Sequence, residues 1–168
     1  GEHEPRFSAN LVIGGKQEAF KVLNDVSSIF RGMSYWLNGE AYVVQDSEKD
    51  PVYQFTNANV INGEFKYEGT GNKTRTNSIM VNWNNPQDYY RSRTEIVELE
   101  ENLQKDTEFV KPEATTAFGC TSRGQARRLG KWKLLTNNWN TNTVSFSTSI
   151  NAAFLRPGDI VQVLDDKK

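Results

Sequence analysis

Cysteine and histidine are nearly missing: the 168 residues hold one of each, Cys120 and His3. A single thiol excludes an intrachain disulfide. A single imidazole at the third position leaves nothing to build a Ser-His-Asp arrangement or a His-rich metal site. It also deprives Cys120 of the base that a thiol nucleophile needs. Long apolar runs are missing too, and none approaches the roughly 18 residues of a membrane span. Charge of one sign is not in excess. Twenty Lys and Arg against 21 Asp and Glu leave −1, too balanced for wholesale binding to DNA or acidic membranes. No signal-peptide pattern is visible. The opening GEHEPRFSANLVI carries no Met, and the chain is expected to be a piece of a longer protein.

What is present argues for folding. Hydrophobic residues make up 36% and mean hydropathy is −0.68, so the core should be modest and the surface polar. Nine Phe, six Tyr and four Trp exclude the aromatic-poor composition of disordered chains. Seventeen Asn announce turns, because Asn tolerates the left-handed conformation and bonds its own backbone.

Along the chain, residues 7–13 (FSANLVI) suit a short strand that Gly14-Gly15 breaks. Residues 16–31 place Ala19, Phe20, Leu23, Val26, Ile29 and Phe30 at helical spacing, a stripe expected to join the core, with Gly32 as C-terminal cap. In residues 33–46, MSYWL-NG-EAYVVQD, Asn38-Gly39 between two alternating runs predicts a hairpin with a type I′ turn. A polar link SEKDP follows. VYQFTN, ANVI-NG-EFKYEG and SIMVNWN read as strands, with a second Asn-Gly turn at 62–63, and 91–99 reads as another. GTGNKTRTN (69–77) reads as an exposed loop, and ELEENLQKD (98–106) mixes signals. Ser122 and Gln125 have capping-box spacing before a helix from Arg123 to about Thr136, with Ala126, Leu129 and Trp132 on one side. Strands over 143–150 and 160–164 flank a turn at Arg156-Pro157-Gly158-Asp159. The fold class is α+β. Residues 1–49 form a strand–helix–hairpin subdomain; residues 50–168 form a strand-rich, barrel- or sandwich-like module with one further helix.

Candidate chemistry is sparse. Gly14-Gly15 lies where a phosphate cradle would sit, but neither G-x-G-x-x-G nor a Lys-Ser/Thr pattern accompanies it, so a plain turn is the better reading. Glu95, Glu98, Glu100, Glu101, Asp106 and Glu108 include the carboxylates a glycosidase would pair, yet a crowded acidic run is usually a solvated face. Cys120 precedes a helix start, which can activate a thiol, but a small buried apolar residue is the simpler account. Residues 117–135, AFGCTSRGQARRLGKWKLL, hold five basic side chains and no acidic one. Arg123, Arg127 and Lys131 recur every four residues as one exposed stripe; with Arg128 they are candidates for an assembly surface or one facing nucleic acid. Tyr35, Trp36, Trp83, Tyr89, Tyr90 and Trp139 would be the stacking surfaces of a carbohydrate-binding adhesin module, the alternative reading. A cell-wall hydrolase fails for want of His and metal ligands. On residues alone this is an α+β structural or binding domain, without an evident active site or cofactor.

Taken in order, EPRFSANLVIGGKQEAFKVLNDVSSIFRGMSYWLNGEAYVVQD, DPVYQFTNANVINGEFKYEGT, VNWNNPQDYY, TAFGCTSRGQARRLGKWKL and LRPGDIVQV resemble one family. It is that of the tail tip attachment proteins of long-tailed bacteriophages, the host-specificity protein J of lambda-like phages, in its central hub region. Gly14-Gly15 stands where that family more often has helix-capping Asn and Ser. The resemblance implies a non-enzymatic structural domain of a phage or prophage tail tip, built of α+β units with small barrel or sandwich modules. It implies a homotrimer in the full-length protein, partners among other tail tip and tape measure proteins, and no cofactor. It further implies location at the virion tail tip after synthesis in the host cytoplasm, with receptor recognition in a C-terminal part outside these residues.

Overall fold

The computed structural model describes residues 4–69, 76–98, 112–140 and 142–166. His3 and the acidic positions Glu100, Glu101, Asp106 and Glu108 lie outside them, as does most of the loop expected at 69–77. Among the described residues are two α-helices and nine strands in four small sheets, none closed into a barrel, so the class is α+β.

Helix α1, Ala19–Ile29, lies on an antiparallel hairpin of β1, Gly32–Leu37, and β2, Glu40–Gln45. The turn is the one the sequence dictates: Asn38 at φ 53° and Gly39 at φ 82° supply the two positive values that a type I′ turn requires. The helix ends differently from expectation. Arg31, not Gly32, takes the left-handed conformation, at φ 61°. Gly32 matters because the Phe30 ring sits 2.5 Å from where its Cβ would be. The apolar stripe of α1 is only half-buried, with Ser27 the one fully buried residue of the helix, so α1 is no core helix.

The core lies elsewhere. Strands β5, Ser78–Asn85, and β6, Arg91–Glu98, form an antiparallel pair, and β7, Pro112–Thr116, adds to β5 in parallel. Ile79, Val81 and Trp83 alternate along β5 and point to one face, joined by Val97 opposite Ile79. Helix α2, Arg123–Trp139, lays Ala126 and Leu134 on that face, with Ala117 and Cys120 closing one end. Gly130 permits the contact. A Cβ there would stand 2.7 Å from a Val97 methyl and 3.0 Å from a Val81 methyl.

A second cluster is aromatic. Phe146 bridges Phe55 (ring centroids 4.6 Å) and Phe65 (5.2 Å), while Tyr53 meets Phe55 and Phe154. It ties β3, Tyr53–Thr56, paired in parallel with β9, Val161–Leu164, to β4, Lys66–Gly69, paired antiparallel with β8, Asn142–Ser145.

These pairings correct several expectations. Residues 7–13 form no strand; they are held by Asn10 N–H donating to the Gly119 carbonyl and by Ser8 bonding Gln125. Asn62 and Gly63 do turn left-handed, but no hairpin results, since Val60 makes only an isolated bridge to Thr148 and β4 pairs with β8. The strand expected over 143–150 stops at Ser145.

Candidate functional site: the basic helix and its surroundings

Helix α2 starts where the sequence places it. Ser122 Oγ accepts from Gln125 N–H at 3.2 Å, which satisfies one of the unpaired amides of the first turn. The reciprocal half of a capping box is absent. Gln125 is buried and spends its side chain on Ser8 instead, accepting from its N–H and donating to its carbonyl, both at 3.0 Å.

The four candidate basic residues separate. Arg123, Arg127 and Lys131 share the exposed side of α2. Arg123 makes a bidentate pair with Glu95 on β6, at 2.9 and 3.2 Å, which holds its guanidinium above its ordinary value. Arg128 faces another way and is half-buried. It donates to Glu4 at 2.9 Å and to the carbonyls of Pro5 and Arg6, clamping the N-terminal segment onto the helix. Ser122 Oγ also bonds Glu4. Only Arg127 and Lys131 thus remain without an ion pair on the outer face, among the described residues.

Cys120 is fully buried in the core under α2, and its thiol donates to the Ser122 carbonyl at 3.2 Å. Burial pushes its pKa up, away from the thiolate that a nucleophile requires. Trp132 does not anchor α2 on the sheet as its spacing suggested; it packs under the Arg31 guanidinium, 5.2 Å from its ring centre. The six aromatic candidates for sugar stacking are spread over different elements. Trp83 is core, Tyr35 stacks on Tyr42 of the hairpin, Tyr89 and Tyr90 follow β5, Trp36 lies on β1, and Trp139 ends α2. No group of three or more His, Cys, Asp or Glu among the described residues is placed to hold a metal, and no described helix is long and apolar enough to cross a membrane.

Residues 18–168 match the family described as "Putative phage tail protein". The chain belongs to that family. Two curated relatives carry the name tip attachment protein J. That of Escherichia phage SECphi27 is 38% identical over 99% of the chain, and that of Escherichia phage SECphi4 is 33% identical over 98%. The chain spans 14% of the length of each. A crystal structure of a tail protein from Neisseria meningitidis MC58 superposes on 99% of the chain and 49% of that protein, with a TM-score of 0.55 at 13% identity. That likeness shows a shared fold.

Proposed function

We propose that the chain is a structural module of the hub at a phage tail tip, part of the host-attachment apparatus, and that it supplies shape and mating surfaces rather than turnover. The collinear match to tip attachment proteins over nearly all of the chain carries this reading. The chemistry agrees with it: burial pushes the pKa of the lone thiol up, and Arg123 and Arg128 are engaged in holding elements together.

In this reading residues 1–49 and 50–168 are two units of one hub. The longer protein assembles as a homotrimer around the end of the tail tube. It contacts other tail tip proteins and the tape measure protein, and binds its receptor through a more C-terminal part. Arg127 and Lys131, flanked by Arg123, are an outer surface for assembly or for DNA passing through the tube. The protein is made in the host cytoplasm and ends at the virion tail tip.

The test is assembly. Light scattering on the longer hub protein should give a trimer, and tails lacking this module should fail to form a tip; a strictly monomeric hub would overturn the reading. Exchanging Arg127 and Lys131 for Glu should reduce infectivity without unfolding the chain. Full infectivity would remove the role assigned to that face.

A further inference from the structure

A cleft of about 510 Å³ opens where the hairpin, the N-terminal segment and α2 meet. Its walls are apolar: Phe7, Met33, Val44, Leu129 and Trp132. Its charges are mostly of one sign. Arg6, Arg31, Arg128 and Lys133 line it, against one carboxylate, Asp46. Two of these cations are occupied, Arg128 by Glu4 and Lys133 by Thr115 Oγ1 at 2.5 Å. The other two have no ion pair among the described residues.

Arg31 is the centre of the arrangement. Its guanidinium packs on two rings, 5.7 Å from Phe7 and 5.2 Å from Trp132, which fixes a planar fork in place. Its Nε–H is shielded from solvent and donates to nothing among the described residues, although a buried donor without an acceptor is costly. Its backbone is held at φ 61°, outside the comfortable range of a long side chain, while its carbonyl accepts the Asp46 N–H that closes the hairpin. Burial and the nearby Arg6 act against its charge, and Asp46 only partly offsets them. A strained, ring-clamped arginine with a spare donor, crowded by like charge, is a seat prepared for an anion.

We propose that this cleft receives an acidic side chain flanked by apolar residues, on a peptide segment of another protein of the same tail. The carboxylate would pair with Arg31 and Arg6, and the flanking apolar groups would fill the space between Met33, Val44 and Trp132. A nucleic-acid strand needs cations repeated along an open track, whereas these converge on one recess with hydrocarbon walls. The position supports an assembly role. The hairpin meets the rest of the chain here and at a few other contacts, such as Arg156 over Tyr42, so a seated segment would bridge the two units. Naming a tail protein as the source rests on the proposed function; the carboxylate preference of the cleft does not.

The probe is the blocked peptide acetyl-Leu-Asp-Glu-Phe-amide, titrated into the 15N-labelled 168-residue chain while following the Arg31 Nε–H resonance. Saturable shifts at Arg31 and Trp132 are expected, with affinity at least about tenfold above that of the Leu-Asn-Gln-Phe counterpart, the difference a charge-assisted bond supplies. R31K keeps the charge but loses the fork, and should cost about tenfold. R6Q, on an exposed residue, should cost about threefold, and R127Q, outside the cleft, nothing. Equal affinity for the neutral peptide, or inorganic phosphate binding as tightly as the acidic one, overturns the proposal. Should the peptide bind while R31K in the longer protein leaves tail assembly intact, the tail-protein source is wrong and the carboxylate preference stands. Should it fail to bind while the longer protein still trimerises, the cleft proposal alone is lost.

Discussion

Helix α1 with its hairpin and helix α2 with its three-stranded sheet are both a helix laid on strands, yet they bury different amounts. Helix α1 has the regular apolar stripe, Phe20, Leu23, Val26 and Ile29, and keeps all four half-buried or exposed. Helix α2 is basic and irregular, and covers the driest part of the molecule, Ile79, Val81, Ala126 and Leu134. The difference lies in what faces each helix. Two strands offer too little surface to enclose a stripe, so an amphipathic pattern on a two-stranded partner stays half-wet. Three strands with alternating aliphatics, plus a glycine that lets the helix descend, enclose a few residues completely. Periodicity therefore reports which face turns inward, and the partner decides how dry that face becomes.

The comparison breaks first at Leu134, fully buried in the core under α2. Leu134→Ala should cost 2–5 kcal/mol in denaturant unfolding, at about the range for buried leucines. Leu23→Ala on α1 should cost roughly 1 kcal/mol, because part of its side chain already meets water. Similar losses would mean that the hairpin unit is as well packed as the sheet, and the contrast would collapse.

Next in size is Gly130→Ala. Alanine returns up to about 1 kcal/mol of helix propensity. The new methyl, however, would meet Val97 at 2.7 Å, and overpacking of this kind costs about 1–3 kcal/mol. A net loss on the order of 1 kcal/mol is expected by urea unfolding. A gain would show that α2 has slack above the sheet.

How much of this was legible in the sequence depends on whether a feature is local. The hairpin at Asn38-Gly39 was readable because its turn and both strands lie within 14 residues of chain, 32–45. Asn62-Gly63 has the same letters and the same left-handed backbone, but its flanks are claimed by distant partners. Ile61 N–H donates to Ser147, and Phe65 packs on Phe146. Turn chemistry specifies a bend, and long-range packing chooses what pairs across it. Strand β7, PEATT, escaped notice because its first three residues, proline, glutamate and alanine, disfavour strands and only its two threonines favour one; parallel pairing with β5 recruits it. The stripe of Arg123, Arg127 and Lys131 was readable from a four-residue repeat. The departure of Arg128 toward Glu4, and the meeting of Arg31 with Trp132, join residues more than a hundred positions apart and left no pattern to read.

Cys120 sharpens the contrast through its chemistry. Burial, the largest influence, raises its pKa in the fold, so the folded state holds the proton more tightly than the unfolded one. Its contribution is therefore complete below the ordinary thiol value of about 8.5 and is lost as pH climbs through the raised folded value. Stability should decline across that window, and C120A should flatten the decline. Native protein should react slowly with a thiol reagent at pH 8 and promptly once unfolded. Rapid native labelling would show that the region under α2 opens readily.

The smallest expected effect falls on the other unit. Trp36 on β1 is 63% exposed although it is the largest side chain of the hairpin. Trp36→Thr keeps a strand-favouring residue and removes a ring that buries little, so unfolding should shift by no more than about 0.5 kcal/mol. The same exchange should lower the tendency of the isolated chain to self-associate, measured by sedimentation, because Phe20 and Val43 are also exposed on this unit. A loss of several kcal/mol would mean that Trp36 is already packed in solution, and that the hairpin unit owes its stability to this ring. The expected silence has a physical reason: a side chain that gains little from its own fold can be exchanged at little cost to that fold.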